Sequence, residues 1–418
     1  MDTLANPPRK PCACLAALLL TLAGCGGGGN SSSTAGTGTP DVNDYASVIV
    51  DSGPPQVNAV NSLYTTVTVC APGSSTQCQT IDHVLVDTGS SGFRVLASAL
   101  GGGLTSAQLN AETDANGNVI VECTQFVDGY SWGPVKTATV QVGGETASNV
   151  PIQVIGDPAY PSSLIPSSCV NVPNGEEDTV AQFGANGVLG IGNYLRDCGD
   201  FCTQAGVQDG SDYNACSTTA PVTCVPAAVD AASQVANPAA LFATDNNGVL
   251  IQFSPVGDAD LTSATGLLVF GINTQNNNSL GSATVYALDP GYGTFQTSFD
   301  GVNLTQSYLD TGSNGYYLPD SSIPLCTGAA GFYCPATPLG FSAQIQDTDG
   351  DIVAVPFTVA SADSVPAGDA VAPDLAGPTG TDAQQTFDWG LPFFYGRNVY
   401  VIFEGSSVGN KTGPAVAF

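Results

Sequence analysis

The residues best suited to chemistry lie in two short stretches, Asp87-Thr88-Gly89-Ser90 and Asp310-Thr311-Gly312-Ser313. They sit inside a longer match of Val84-Leu85-Val86-Asp87-Thr88-Gly89-Ser90-Ser91-Gly92 to Ser307-Tyr308-Leu309-Asp310-Thr311-Gly312-Ser313-Asn314-Gly315, with the aspartates 310 − 87 = 223 positions apart. One Asp-Thr-Gly arises easily by chance in a chain rich in these residues, whereas two copies with matched surroundings do not. Two carboxyls close enough to share a proton cannot both ionise, so one stays protonated while the other draws a proton from bound water. Such a pair activates water for hydrolysis. Thr and Gly after each Asp allow a sharp turn and a cross-brace between the loops, and Ser90 and Ser313 are suited to hydrogen-bonding the outer carboxylate oxygens. The plainer alternative is a pair of Asx turns that close strands.

Each copy follows an apolar run of strand type, Ile81 to Val86 and Leu304 to Leu309. The whole chain reads the same way. With 418 residues, 43% of them hydrophobic, it can bury one large or two medium cores. Its 50 glycines, and short Val- and Thr-rich runs between Gly, Asn, Asp and Pro clusters, predict an all-β protein. Asp and Glu number 36 against 7 Lys and Arg, for a net charge of −29. That surface repels phosphate backbones and excludes nucleic acid as a partner.

Arg9 and Lys10 precede an apolar run from Cys12 to Ala23, too short for a membrane-spanning helix and suited to a signal peptide over residues 1–25. Its end, Leu22-Ala23-Gly24-Cys25, resembles the lipobox of bacterial lipoproteins, which implies a lipid on Cys25 and membrane contact through that lipid alone. The stretch 26–44 reads as a Gly- and Ser-rich tether. Gly26 after the Cys points to the outer membrane, facing the periplasm or the cell surface. Ten further cysteines suggest five disulfides in an exported chain. Cys70 with Cys78, and Cys326 with Cys334, are suited to local staples, while Cys198, Cys202, Cys216 and Cys224 cannot be paired from sequence. Zinc is the alternative there, disfavoured by the single His.

Over most of residues 60–405 the sequence resembles the pepsin-like aspartic proteases. The hydrophobic-hydrophobic-Gly element that follows each catalytic loop in that family is matched by Gly187-Val188-Leu189-Gly190-Ile191-Gly192 and by Trp389-Gly390-Leu391-Pro392-Phe393-Phe394. The resemblance implies an all-β, bilobal pepsin-like aspartic protease fold. It consists of two similar β-barrel-like lobes, 45–238 and 239–418, with a cleft between them. It further implies catalysis by Asp87 and Asp310 supported by Thr88, Gly89, Ser90, Thr311, Gly312 and Ser313, a peptide or protein substrate in the cleft, a monomer, and neither cofactor nor metal. The run from Phe126 through Asp128, Gly129, Tyr130 and Trp132 to Gly133 resembles the family's flap. Two positions depart from the pattern: Phe126 stands where the family has the flap Tyr, and Arg94 where it has the Trp partner of that Tyr. Tyr130 or Trp132 at the flap tip is a substitute. These departures keep open a second reading, a non-catalytic module that retains the fold to bind a peptide, glycan or envelope partner.

Three other features invite chemistry and read better as structure. His83 alternates on a strand with no Ser-His-Asp pattern around it. Asp347-Thr348-Asp349-Gly350-Asp351 is similar to a calcium loop, but Thr358 stands where an EF-hand needs its twelfth-position Glu, so a hairpin turn is expected, as it is for Asp114 to Asn118.

Overall fold

A computed structural model describes residues 44–127, 129–170, 175–203, 213–257, 259–380 and 383–418. The signal peptide, Cys25, most of the tether and Asp128 lie outside the described residues. The expected all-β class holds: strands dominate, and the one α-helix among the described residues is the single turn Val180–Phe183.

Each Asp-Thr-Gly-Ser loop is held by the same three-strand arrangement. In the first half, Cys78–Asp87 runs parallel to Gly187–Ile191, and Ser91–Leu96 pairs with the other edge of Gly187–Ile191 in the antiparallel sense. In the second half, Val302–Leu309 runs parallel to Asp388–Trp389, and Tyr316–Leu318 flanks it on the far side. Each loop therefore straddles a middle strand, which is where the two hydrophobic-Gly elements of the sequence fall. Glycine is required at the crossings. A Cβ on Gly390 would come within 2.2 Å of the Gly315 carbonyl oxygen, and one on Gly187 within 2.5 Å of the Arg94 carbonyl oxygen.

The two halves share a continuous sheet. Tyr45–Val50 pairs on one side with Leu63–Cys70 and on the other with Ala264–Phe270, and the sheet continues through Gly248–Phe253 and Asn398–Ile402 to Ala415–Ala417. Alternation along these strands sends Val48, Val50, Val67, Val69, Val249 and Ile251 into one large core, the period-2 pattern expected of a sheet with a buried face.

Five disulfides form among the described residues. Cys70–Cys78 and Cys326–Cys334 are the expected staples, and the four cysteines left open pair as Cys198–Cys202 and Cys216–Cys224; the fifth bond is Cys123–Cys169. Cys326, Cys334 and Asp363 converge closely enough to suggest a metal, but both sulfurs are committed to their disulfide.

Candidate active site

The two Asp-Thr-Gly-Ser loops meet head to head. Thr88 Oγ1 donates to the Leu309 carbonyl (3.1 Å) and accepts from the Thr311 amide (3.0 Å). Reciprocally, Thr311 Oγ1 donates to the Val86 carbonyl (2.7 Å) and accepts from the Thr88 amide (3.1 Å). Four hydrogen bonds with both threonines buried lock the loops in mutual register. Threonine suits the position because its hydroxyl donates and accepts at once.

The carboxyls are held by their own loops and by each other's. Asp87 Oδ1 accepts from the amides of Gly89 (2.8 Å) and Ser90 (3.2 Å), while its Oδ2 accepts the Ser90 hydroxyl. Asp310 Oδ1 accepts from the amides of Gly312 (2.7 Å) and, across the pseudo-dyad, Gly89 (3.1 Å); its Oδ2 accepts the Ser313 hydroxyl at 2.8 Å. The absence of side chains at Gly89 and Gly312 is what lets the carboxyls approach. A Cβ on Gly89 would lie 2.6 Å from Asp310 Cγ, and one on Gly312 would lie 2.8 Å from Asp87 Oδ1. Burial, then the charge of Asp87, then that of Asp388, push the Asp310 carboxyl well above the ordinary carboxylate range. Two carboxyls set this close do not ionise independently, which is the property that general acid–base chemistry requires of such a pair.

Asp388 was not among the residues singled out from the sequence. It stands one position before the second hydrophobic-Gly element, between Phe387 and Trp389, and pairs with Tyr308 on one side and Tyr317 on the other. In the first half the matching register holds Val188, opposite Leu85. Asp388 is buried, and its Oδ1 makes no hydrogen bond. Burial is the main reason its carboxyl is pushed up to about 8, with Ser313 opposing the shift and Asp87 adding to it. Tyr308 is raised too, by burial and then by Asp388, Asp310 and Asp87.

The expected flap is a hairpin of Val119–Gln125 and Tyr130–Val142, closed by a turn in which the Phe126 amide donates to the Gly129 carbonyl at 2.8 Å. Val127, not an aromatic residue, is exposed at the turn. The two aromatic substitutes are placed differently from the expectation. Trp132 is fully buried, donating from Nε1 to the Tyr160 carbonyl at 3.1 Å, and Tyr130 is buried with its backbone paired to residues 175–177. Strand alternation puts both on the inner face beside the Cys123–Cys169 bond, so neither stands at the tip. Phe126 packs edge-on against Phe183, with ring centroids 6.0 Å apart.

Arg94 likewise turns inward. It is 1% exposed and donates to Glu122 Oε1 (2.5 Å), Asp197 Oδ2 (3.2 Å), Thr124 Oγ1 (2.9 Å) and the Ser91 carbonyl (3.1 Å). Tyr213 closes the cluster by donating to Asp197 (2.8 Å). Burial works against its charge, but Glu122 and then Asp197 outweigh it and raise the guanidinium's pKa. Arg94 thus pins the strand after the first Asp-Thr-Gly-Ser loop to the hairpin.

Elsewhere, His83, four residues before Asp87 on the same strand, lies between Asp82 (2.9 Å) and Asp51 (3.3 Å). Asp347 to Asp351 is a hairpin turn whose centre is filled by the Lys411 ammonium, bonded to Asp347, Asp351 (2.7 Å) and Asp349 (3.2 Å). Asp114 closes an Asx turn on the amides of Asn116 and Asn118, both at 2.8 Å.

A family model described as "Protein of unknown function (DUF3443)" matches residues 40–418. Among curated proteins, no relative matches the chain. Among solved structures, an aspartic proteinase from Irpex lacteus is similar at 15% identity, over 89% of this chain and 96% of that one, with a TM-score of 0.48, a likeness from which no function is read.

Proposed function

We propose that this chain, which belongs to the family described as a protein of unknown function (DUF3443), is an aspartic-type endopeptidase. In this reading Asp87 and Asp310 share one proton, activate a water for attack on a peptide carbonyl, and stabilise the tetrahedral intermediate, without cofactor or metal. The observation that carries it is the pair of interlocked loops: four reciprocal threonine bonds and two glycines without which the carboxyls could not approach. A structural brace has no need of two opposed carboxyls, because holding like charges together is costly unless the shared proton is used. Residues 45–238 and 239–418 act as the two lobes that present a peptide or protein to the dyad, and Phe126 to Gly133 as the flap over it. We place the protein at the outer membrane, held by a lipid on Cys25, on the strength of Leu22-Ala23-Gly24-Cys25-Gly26.

The test is cleavage of a peptide library by the full-length chain between acid and neutral pH. Activity is expected in the parent and lost in Asp87→Ala and Asp310→Ala; cleavage by Asp87→Ala at the parent's rate, or none by the parent, refutes the reading. The binding module is the second reading, favoured by one observation: Phe126, packed on Phe183, has no hydroxyl to offer, and Arg94 is committed to Glu122 and Thr124. An inactive parent that nonetheless retains peptides from the library selects it. Incorporation of a labelled fatty acid, lost in Cys25→Ala, tests the anchor.

A further inference from the structure

Strand Cys78–Asp87, which leads into the first Asp-Thr-Gly-Ser loop, carries the only histidine of the chain. Its pairing with Leu63–Cys70 slips between Thr65 and Val67, so that Asp82 and His83 together stand opposite Thr66. A bulge of this kind re-aims a side chain. The second half makes the same slip between Phe295 and Thr297, with Thr305 and Gln306 in the places of Asp82 and His83. Of the matched residues His83 and Gln306, only His83 takes up the left-handed backbone, at φ +47°. The bulge thus belongs to the duplicated fold, while the twisted histidine belongs to the first half alone.

The imidazole is held on three sides. Nδ1 meets Asp82 Oδ2 at 2.9 Å, Nε2 meets Asp51 Oδ2 at 3.3 Å, and the Tyr64 ring stands edge-on with centroids 5.2 Å apart. Both acids are fixed in turn. Asp51 Oδ1 accepts the Gly53 amide at 2.9 Å, and Asn186 Nδ2 donates to the Asp82 carbonyl at 2.8 Å and to its Oδ1 at 3.4 Å. These residues line a pocket of about 590 Å³ together with Thr66 and Thr265. The His83 and Asp51 side chains are 23% and 25% exposed, so water reaches the point between them.

With Asp82 taking the Nδ1 proton, a neutral ring turns the bare Nε2 lone pair toward a carboxylate oxygen that can only accept. Something positive has to sit between them, either a second proton or a metal ion. The spacing favours the metal. A charge-assisted N–H···O bond closes to about 2.7–2.9 Å. A nitrogen and an oxygen on one tetrahedral zinc, each about 2.0–2.1 Å from it, stand about 3.3 Å apart. An imidazole whose far nitrogen rests on a carboxylate is also the usual setting of a zinc-bound histidine. We propose that His83 Nε2 and Asp51 Oδ2 bind a zinc ion, with Asp82 setting the tautomer and water from the pocket completing the shell. The ion clamps the segment after the strand Tyr45–Val50 to the strand that carries Asp87. Four residues at about 3.3 Å each separate His83 from Asp87, so the clamp stands apart from the dyad and does not depend on the peptidase reading.

The test is a titration of the full-length chain with zinc alone at pH 7, in about 0.3 M salt to screen the diffuse pull of the acidic surface. Because the chain has a single histidine, its imidazole nitrogen resonances report the site without ambiguity. Expected are one saturable zinc per chain, a zinc-dependent shift of the Nε2 resonance, and a rise in Tm of about 3 °C at a hundredfold excess over Kd. Asp51→Asn and His83→Asn, the latter suited to a left-handed backbone, should each weaken binding at least about tenfold, and Asp82→Ala about tenfold through the lost tautomer. Calcium, which takes oxygen ligands, should not displace the zinc. Each variant is compared with its own metal-free Tm, so a folding defect in one does not mimic the loss. A ring that stays protonated on both nitrogens in excess zinc, or zinc binding unchanged in His83→Asn and Asp51→Asn, overturns the proposal and makes His83 a plain ion pair.

Discussion

Arg94→Met tests whether the buried cluster behind the first Asp-Thr-Gly-Ser loop is correctly understood. Methionine keeps the length of the arginine stem but removes the charge and every donor. Glu122 is fully buried and the Asp197 side chain is 6% exposed, so the substitution takes the Arg94 guanidinium from two carboxylates held away from water. Breaking a buried ion pair from one side costs about 3–5 kcal/mol. For a body of about 375 residues between Val42 and Phe418, an unfolding entropy of ~2.1 cal/mol/K per residue makes 4 kcal/mol equivalent to a fall in Tm of about 5 °C at pH 7. The deficit has a sign in pH. Orphaned buried charge is what costs, so acid, which removes charge from carboxyls, should shrink the deficit. Adding Glu122→Gln and Asp197→Asn to Arg94→Met should recover most of the loss, because a neutral cluster carries no orphaned charge. Thermal unfolding of the four proteins at pH 4 and 7 provides the measurement. An unchanged Tm in Arg94→Met at pH 7, or a deficit that the neutralised partners do not relieve, would refute this account of Arg94.

Gly89→Ala brings a methyl group to 2.6 Å from Asp310 Cγ, so the loops must part; peptide cleavage should fall about 100-fold while far-ultraviolet circular dichroism is kept. Asp388 has a folded-state pKa of about 8 against an ordinary value near 4, so its stabilising contribution is full below pH 4 and is lost as pH rises toward 8. Urea midpoints across that window should fall less steeply in Asp388→Asn than in the parent. Replacing Cys123 and Cys169 by Ala opens a 46-residue link and should cost about 4 kcal/mol, against about 2 kcal/mol for Cys198 with Cys202, four residues apart; urea titration of the two pairs ranks them. Lys411→Met leaves the buried Asp347 without its cation and should cost about 2 kcal/mol at pH 7 and less at pH 3, read in the same way.

What the sequence disclosed follows from the range over which each signal acts. The paired Asp loops were legible because duplication writes Asp-Thr-Gly-Ser twice in matched surroundings, and local staples such as Cys70–Cys78 were legible because eight residues and a turn bring their ends together. Arg94 was legible only as a departure from a pattern: its partners Glu122 and Asp197 are 28 and 103 positions away, and nothing local announces them. The same distance hid Lys411, which fills the Asp347 loop from 64 positions downstream. Trp132 was misplaced for a different reason. A hairpin tip and the inner face of its strand differ by two residues, and only the pairing of Cys123 with Trp132 fixes which face looks inward. Asp388 did carry a local signal, a lone acid between two aromatics at a place where the first half has Val188, and comparing the repeats residue by residue through their middle strands would have found it.

The strand Tyr45–Val50 has a consequence for the order in which the chain can mature. It is the first strand among the described residues, yet one of its two edges is completed only by Ala264–Phe270, more than two hundred residues later. A chain emerging from its N-terminus therefore carries an open strand edge through the synthesis of the entire first half. Neither that edge nor the Thr88 bond to Leu309 can close before the second half has arrived. Completion of the sheet and assembly of the dyad are thus late events with a common prerequisite, and a chain cut short before residue 264 retains an exposed edge suited to pairing with another copy of itself.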